Sequence, residues 1–170
     1  MMTRRSARPG LSAILLLAVS VTIVFIGVAV ATGLGDSANR TAVTNLVFGA
    51  LGSEGDMQLA GDAAVLRSTF TGKALEAENA QLVHVQDLVH QGTDYPGALH
   101  LSQQKVAALT GSGDTYAIQV QFHAVRDNMK DGIVVDQSIS DVIWQVTVIR
   151  TVDGWRISDM HGQFAPGGGP

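Results

Sequence analysis

Three hydrophobic patterns follow one another along this chain, and each predicts a different kind of element. The first is an unbroken apolar block, "LSAILLLAVSVTIVFIGVAVAT", residues 11–32, 22 residues without a charge. As a helix it would rise about 33 Å, enough for the hydrocarbon core of a bilayer. Its β-branched residues weaken a helix in water, but in lipid the backbone has no other way to satisfy its polar groups. A cleaved signal peptide is the competing reading, because Ala29-Val30-Ala31 has the small-x-small form of a cleavage site. The block is longer than the roughly 7–15 residues of a signal core, which favours the anchor.

The second pattern has the period of a helix. Val43, Leu46, Val47, Ala50 and Leu51 fall at i, i+3, i+4 spacing, with Ser37 or Thr41 as candidate caps. "GSEG" (52–55) predicts a break. A second helical stretch starts at Asp56 or at Gly61-Asp62, with Leu59, Ala63, Leu66 and Phe70 on one face. Thr71 then caps a helix running from Lys73 to about His90 or Gln91, stopped by Gly92. Leu75, Leu82, Val85 and Val89 form its stripe, although the alternation around His84 leaves a strand open there.

From residue 98 the period becomes two. Ala98–Leu109 reads as a weak strand and Thr115–Val125 as a strong one. In the latter, Tyr116, Ile118, Val120, Phe122 and Ala124 share one face, and Gln119, Gln121 and His123 share the other. "RDNMKDG" (126–132) reads as a loop. Ile133–Val152 is too long for one flat strand, so it either bends at a bulge near residues 137–140 or is two strands. A final strand runs from Trp155 to about Gln163. Helices followed by antiparallel strands with short turns make an α+β arrangement, helices on one face of a curved sheet.

These elements divide the chain into a basic tail (1–10), the apolar span (11–32), a linker (33–40), one folded domain (41–164) and a short Gly/Pro tail (165–170). Charge refines this division. Arg4, Arg5 and Arg8 precede the span, which keeps that end cytoplasmic and places the domain outside. The rest of the chain holds eight basic and all 15 acidic residues. So acidic a body, without clustered Lys or Arg, excludes nucleic acid as a partner. There is no cysteine among the 170 residues, which excludes disulfides, thiolate metal sites and a cysteine nucleophile. No P-loop, Rossmann glycine pattern or G-x-S-x-G is present.

The last hairpin, "IRTVDGWRISDMHGQF" (149–164), carries the most specific local signal. Asp153-Gly154 at the centre of a type I′ turn pairs Val152 with Trp155. Arg150 then opposes Ile157, Val148 opposes Asp159, Val146 opposes His161, and Trp144 opposes Gln163. This register puts Arg150, Asp159 and His161 on the buried face with Trp155, and Ser158 and Met160 on the other. A one-residue slip reverses it.

Two or three helices, about four long strands and a "DGW+I" hairpin resemble the NTF2-like superfamily. The residues that carry the resemblance are "STFTGKAL" (68–75), "YAIQVQF" (116–122) and "VTVIRTVDGWRISDM" (146–160). A membrane helix before such a domain is similar to Mce-associated membrane proteins, VirB8-type assembly factors and the IMS domains of chloroplast-division proteins. The resemblance covers about residues 41–164 and implies a cone-shaped fold with a pocket between sheet and helices. Arg150, Asp159, His161, Trp144 and Trp155 are the candidate pocket residues. In enzyme members such pockets use an Asp or His as a general base.

The expectation is a membrane-anchored extracytoplasmic binding or assembly module, non-catalytic, that uses no cofactor or metal. Its partners are membrane lipid through the anchor and a protein or a second copy of itself. The alternatives are a pocket protein for a small apolar ligand or lipid, and a cyclase- or isomerase-like enzyme using Asp159 and His161. Other histidines weigh less. His84 and His90 lack i, i+4 metal spacing. His100 and His123 read as solvent-facing on adjacent strands. Asp87 reads as a solvated helix charge, and Tyr95 as a turn residue.

Overall fold

A computed structural model describes residues 34–166. The predicted membrane span, the basic tail and the last four residues lie outside these described residues. Within them no helix is long and apolar enough to cross a membrane.

Three helices pack on a four-stranded antiparallel sheet of order β1-β2-β3-β4. Helix α1 is Leu34–Ala60, α2 is Ala63–Thr69 and α3 is Gly72–Gln91. The strands are β1 Tyr95–Ser112, β2 Thr115–Lys130, β3 Ile133–Thr151 and β4 Gly154–Phe164. Helix α1 lies over β1, and α3 lies over β4.

Helix α1 is longer than its pattern predicts at both ends. Residues 34–40 are helical, not a linker, and Ser37 and Thr41 are interior positions. The Thr41 hydroxyl donates back to the Ser37 carbonyl. The helix also runs straight through "GSEG". A Cβ at Gly55 would stand 2.3 Å from the Gly97 carbonyl oxygen of β1. The glycine therefore permits contact between helix and strand and is no stop signal. Packing of Val43, Val47, Ala50 and Leu51, all buried, outweighs the roughly 1 kcal/mol that each interior glycine costs.

The other helix boundaries follow local chemistry. The Asp62 carboxylate caps α2 by accepting from the Ala64 N–H at 2.8 Å. Thr71 occupies the cap position of α3 with its backbone extended, but its side chain makes no capping hydrogen bond, unlike the expected cap. Gly92 ends α3 in the left-handed conformation that glycine adopts without strain. The stretch around His84 is helix, since Val85 is fully buried while Val83 is exposed.

Strand β2 keeps its predicted faces: Tyr116, Ile118, Val120, Phe122 and Ala124 are all buried toward the helices. It continues through the expected loop to Lys130, leaving only Asp131-Gly132 as the turn. Strand β3 is one 19-residue strand. Its irregularity falls at Val135, where Asn128 pairs with Asp136 but Met129 with Val134. Strand β1 bends more, with three register shifts and Gln103 at φ +52°. The helix-facing side of the sheet closes a core with Leu66, Phe70 and Ala74 from the helices and Val146, Val148 and Ile157 from β3 and β4.

The last hairpin departs from its predicted register in two steps. Its loop is Val152-Asp153, closed by Thr151 opposite Gly154, so Arg150 pairs with Trp155 and Val148 with Ile157. The Thr151 hydroxyl holds this turn, donating to the Gly154 carbonyl and accepting from the Asp153 N–H. Moving the turn by one residue shifts each pair by two, which preserves the faces of Arg150, Trp155 and Ile157. A bulge at Ser158 then inverts the remainder of β4, because the next pair is Thr147 with Asp159. The bulge sits where the chain between α2 and α3 docks. Phe70 bridges to Ile157, and the Thr71 N–H donates to the Ile157 carbonyl at 2.8 Å.

Candidate functional site

The five residues singled out from the sequence occupy three places. Arg150 and Trp155 are together on the helix-facing side near the turn. The guanidinium lies 5.5 Å from the indole centroid, and Trp155 packs edge-on against Tyr116 at 5.4 Å. Arg150 is exposed and Trp155 is half-buried. Trp144 is on the same side farther along, opposite Gly162, where a Cβ would come within 2.7 Å of the indole. That glycine makes room for the ring.

Asp159 and His161 lie on the opposite, outer face, which corrects the predicted burial with Trp155. The Ser158 bulge is the physical reason, and it carries Met160 inward against the core. The two still meet: His161 Nε2 is 3.2 Å from the Asp159 carboxylate. They rim a depression of about 30 Å³ with Ala117, Gln145 and Thr147. That is space for about one water molecule.

The outer face carries two more acid–imidazole pairs. His123 Nδ1 is 2.9 Å from Asp141, its cross-strand partner. His100 is 3.0 Å from the buried carboxylate of Asp127, which also accepts from the Gln137 amide at 2.7 Å. The Gln137 and His100 contacts hold the Asp127 carboxyl below its ordinary range. His100 and His123 are therefore each tied to a carboxylate, not to each other. Among the described residues no group of three acidic or imidazole side chains is placed to hold a metal.

The most enclosed polar group was not anticipated. Glu54 and Gln58 of α1, Glu78 of α3 and Arg126 of β2 meet between helices and sheet. The Gln58 amide donates to Glu54 at 3.2 Å and to Glu78 at 3.1 Å, and Arg126 donates to Glu54 at 3.2 Å. Arg126 thus bonds Glu54 alone, and Glu78 feels its charge only at a distance. Burial, and then repulsion from Glu54, push Glu78 up to about 7, against the opposing pull of Gln58 and Arg126. Glu54 Oε2 and Gln58 Oε1 are buried without a hydrogen-bond partner. The signal was available, since each residue interrupts an apolar stripe at the stripe's own spacing. Glu78 stands between Leu75 and Leu82, Glu54 follows Ala50 and Leu51, and Arg126 follows Phe122 and Ala124.

At the turn end of the sheet, Arg40 of α1 donates to the Leu109 and Gly111 carbonyls at 3.0 and 3.1 Å and pairs with Asp36. The buried Tyr116 hydroxyl donates to the same Asp36 carboxylate, which holds its proton above the usual phenol range. At the other end, β3 lacks a neighbour on one edge. β4 pairs with β3 from Val142 onward and the Ala165 N–H donates to the Asp141 carbonyl at 2.8 Å, so among the described residues 133–140 pair on one side alone. Ile133, Val134, Val135 and Ile139 are exposed there.

Comparison with known proteins places this architecture. No protein-family model matches the chain, and no curated protein matches it by sequence. Solved structures match well. The intermembrane-space region of the chloroplast protein ARC6 is similar at TM-score 0.61 and 14% identity, covering 74% of this chain and 96% of that one. An NTF2-like superfamily protein from Salmonella enterica gives TM-score 0.55 at 12% identity, covering 76% and 93%. A putative dehydratase of the NTF2-like family from Streptomyces avermitilis gives 0.53 at 12%, covering 76% and 98%. The described domain has the NTF2-like fold. At these identities the likeness defines the fold alone.

Proposed function

We propose that this protein is a membrane-anchored, extracytoplasmic binding and assembly module that acts through protein–protein contacts and is not an enzyme. The observation that carries the reading is the first half of β3. Among the described residues, an edge at 133–140 that pairs on one side alone and exposes four aliphatic side chains is a template for another strand, with the Gln137 N–H already taken by the Asp136 carboxylate. The middle of the outer face is unlike it, being lined by Gln119, Gln121, His123, Gln145 and Thr147. Binding is therefore assigned to the β3 edge and not to the broad sheet face. The Asp159–His161 pair stands on the outer face beside a depression of about 30 Å³, which supports a non-catalytic reading of the pair. Localisation follows from residues 11–32 with the arginines before them.

The test is recovery of partners from membranes with the intact chain and with a Val135→Lys/Ile139→Lys variant. Both side chains are exposed, so the variant stays folded, and lysines on an edge block strand addition. The expected outcome is loss of most co-purifying protein, including any second copy of the chain. An unchanged set of partners would sink the assignment.

A further inference from the structure

We propose that the domain stands upright on the bilayer, with the Gly113-Asp114 and Val152-Asp153 turns against the lipid headgroups and the open β3 edge at the far end. The inference rests on the anchored reading of residues 11–32 and adds an orientation to it.

Three observations carry it. First, in the sequence only Gly33 lies between residues 11–32 and the start of α1 at Leu34, and one residue spans at most about 3.6 Å. Second, the start of α1 is fixed to one end of the sheet. Leu34 lies six residues, about 9 Å of helix, before Arg40. Arg40 holds the β1 carbonyls of Leu109 and Gly111, its guanidinium lies 5.7 Å from the Tyr116 ring centroid, and Tyr116 donates to Asp36. Val43, one turn on, is fully buried. Third, both turns lie side by side at that same end. The Arg150 N–H donates to the Asp114 carbonyl at 2.8 Å, and Thr115 pairs with Ile149. Val152 is fully exposed at the tip of its turn.

A tether held this way cannot reach the opposite end of the sheet. Nineteen residues of β3 separate the two ends. At about 3.3 Å per residue the Asp131-Gly132 turn stands up to about 60 Å from the bilayer. The partner surface is then a proteinaceous one reached above the headgroups, and the lipid-facing surface is the pair of turns.

The absence of cysteine makes the test direct. Single cysteines at Val152 and at Lys130, both exposed, are labelled with a fluorophore in the full chain. The protein is reconstituted into phosphatidylcholine vesicles that carry a headgroup-attached quencher. The expected result is that the label at Val152→Cys loses most of its emission and the label at Lys130→Cys loses almost none. Equal quenching at the two positions, in protein that resists alkaline extraction, overturns the orientation and leaves the anchor standing. Protein that washes off at alkaline pH overturns both. Replacing Arg40 with Met should shrink the contrast between the two labels, because it releases the helix from the β1 carbonyls.

Discussion

The two faces of the sheet use the same chemical groups to opposite ends. On the outer face, Asp159 and His161 stand 3.2 Å apart with their side chains 29% and 44% exposed, so water shares the work of solvating them. On the inner face, Glu54, Glu78 and Arg126 are taken out of water and must solvate one another with the help of Gln58. Breaking such a set costs little on the outside and much on the inside, because a charge left alone away from water keeps its full desolvation penalty. The inner set is incompletely paired: its one guanidinium bonds Glu54 and not Glu78, and two of its oxygens have no donor. Its protonation state therefore belongs to the fold.

The largest test of this contrast removes the guanidinium. Arg126→Met leaves two enclosed carboxyl groups without a cation and should cost about 3 kcal/mol, read by urea unfolding at pH 8. A loss below about 0.5 kcal/mol would mean that water reaches the cluster freely. A smaller effect comes from Glu78 itself. Its carboxyl lies near pH 7 in the folded domain against an ordinary 4.5, so the folded state holds the proton more tightly than the unfolded chain. The associated stability is fully present below about pH 4.5 and is lost as pH rises through about 7. The change is on the order of 3 kcal/mol. Glu78→Gln should flatten that part of the pH–stability curve and stabilise the domain at pH 8. A curve as steep in the variant as in the parent would assign the dependence elsewhere. The smallest effect belongs to the outer pair, where Asp159→Asn should change stability by less than about 0.5 kcal/mol. A larger loss would show that the pair is part of the scaffold.

How far the sequence reached depended on whether a signal was local or tertiary. The inward face of β2, the Thr71–Gly92 limits of α3 and the α+β order were legible, because periodicity and capping residues act over a few positions. "GSEG" misled for a tertiary reason. Gly55 answers to the Gly97 carbonyl 42 residues away, and nothing near it in sequence announces that contact. Asp153-Gly154 misled for a local one. Two adjacent positions can each open a two-residue turn, and the Thr151 hydroxyl selects the earlier. The Ser158 bulge is set by the docking of Phe70 and Thr71, so no pattern within β4 could place it. The buried Glu54–Glu78–Arg126 set was readable as three polar residues in apolar registers. Recognising it required treating a charge on an apolar stripe as information rather than noise.

That bulge gives the scaffold an unusual kind of evolvability. Side chains on a strand alternate strictly, so one residue more or less exchanges inside for outside for everything beyond it. Ser158 is the residue in excess here. A lineage that straightened the bulge, with Ser158 set opposite Thr147 and every residue kept, would carry Asp159 and His161 toward the helices with no new side chain invented. An exposed acid and base would become an enclosed one, and Met160 would move out to the solvent. The choice between an open and an enclosed acid–imidazole pair is in this way a matter of register rather than of side-chain chemistry.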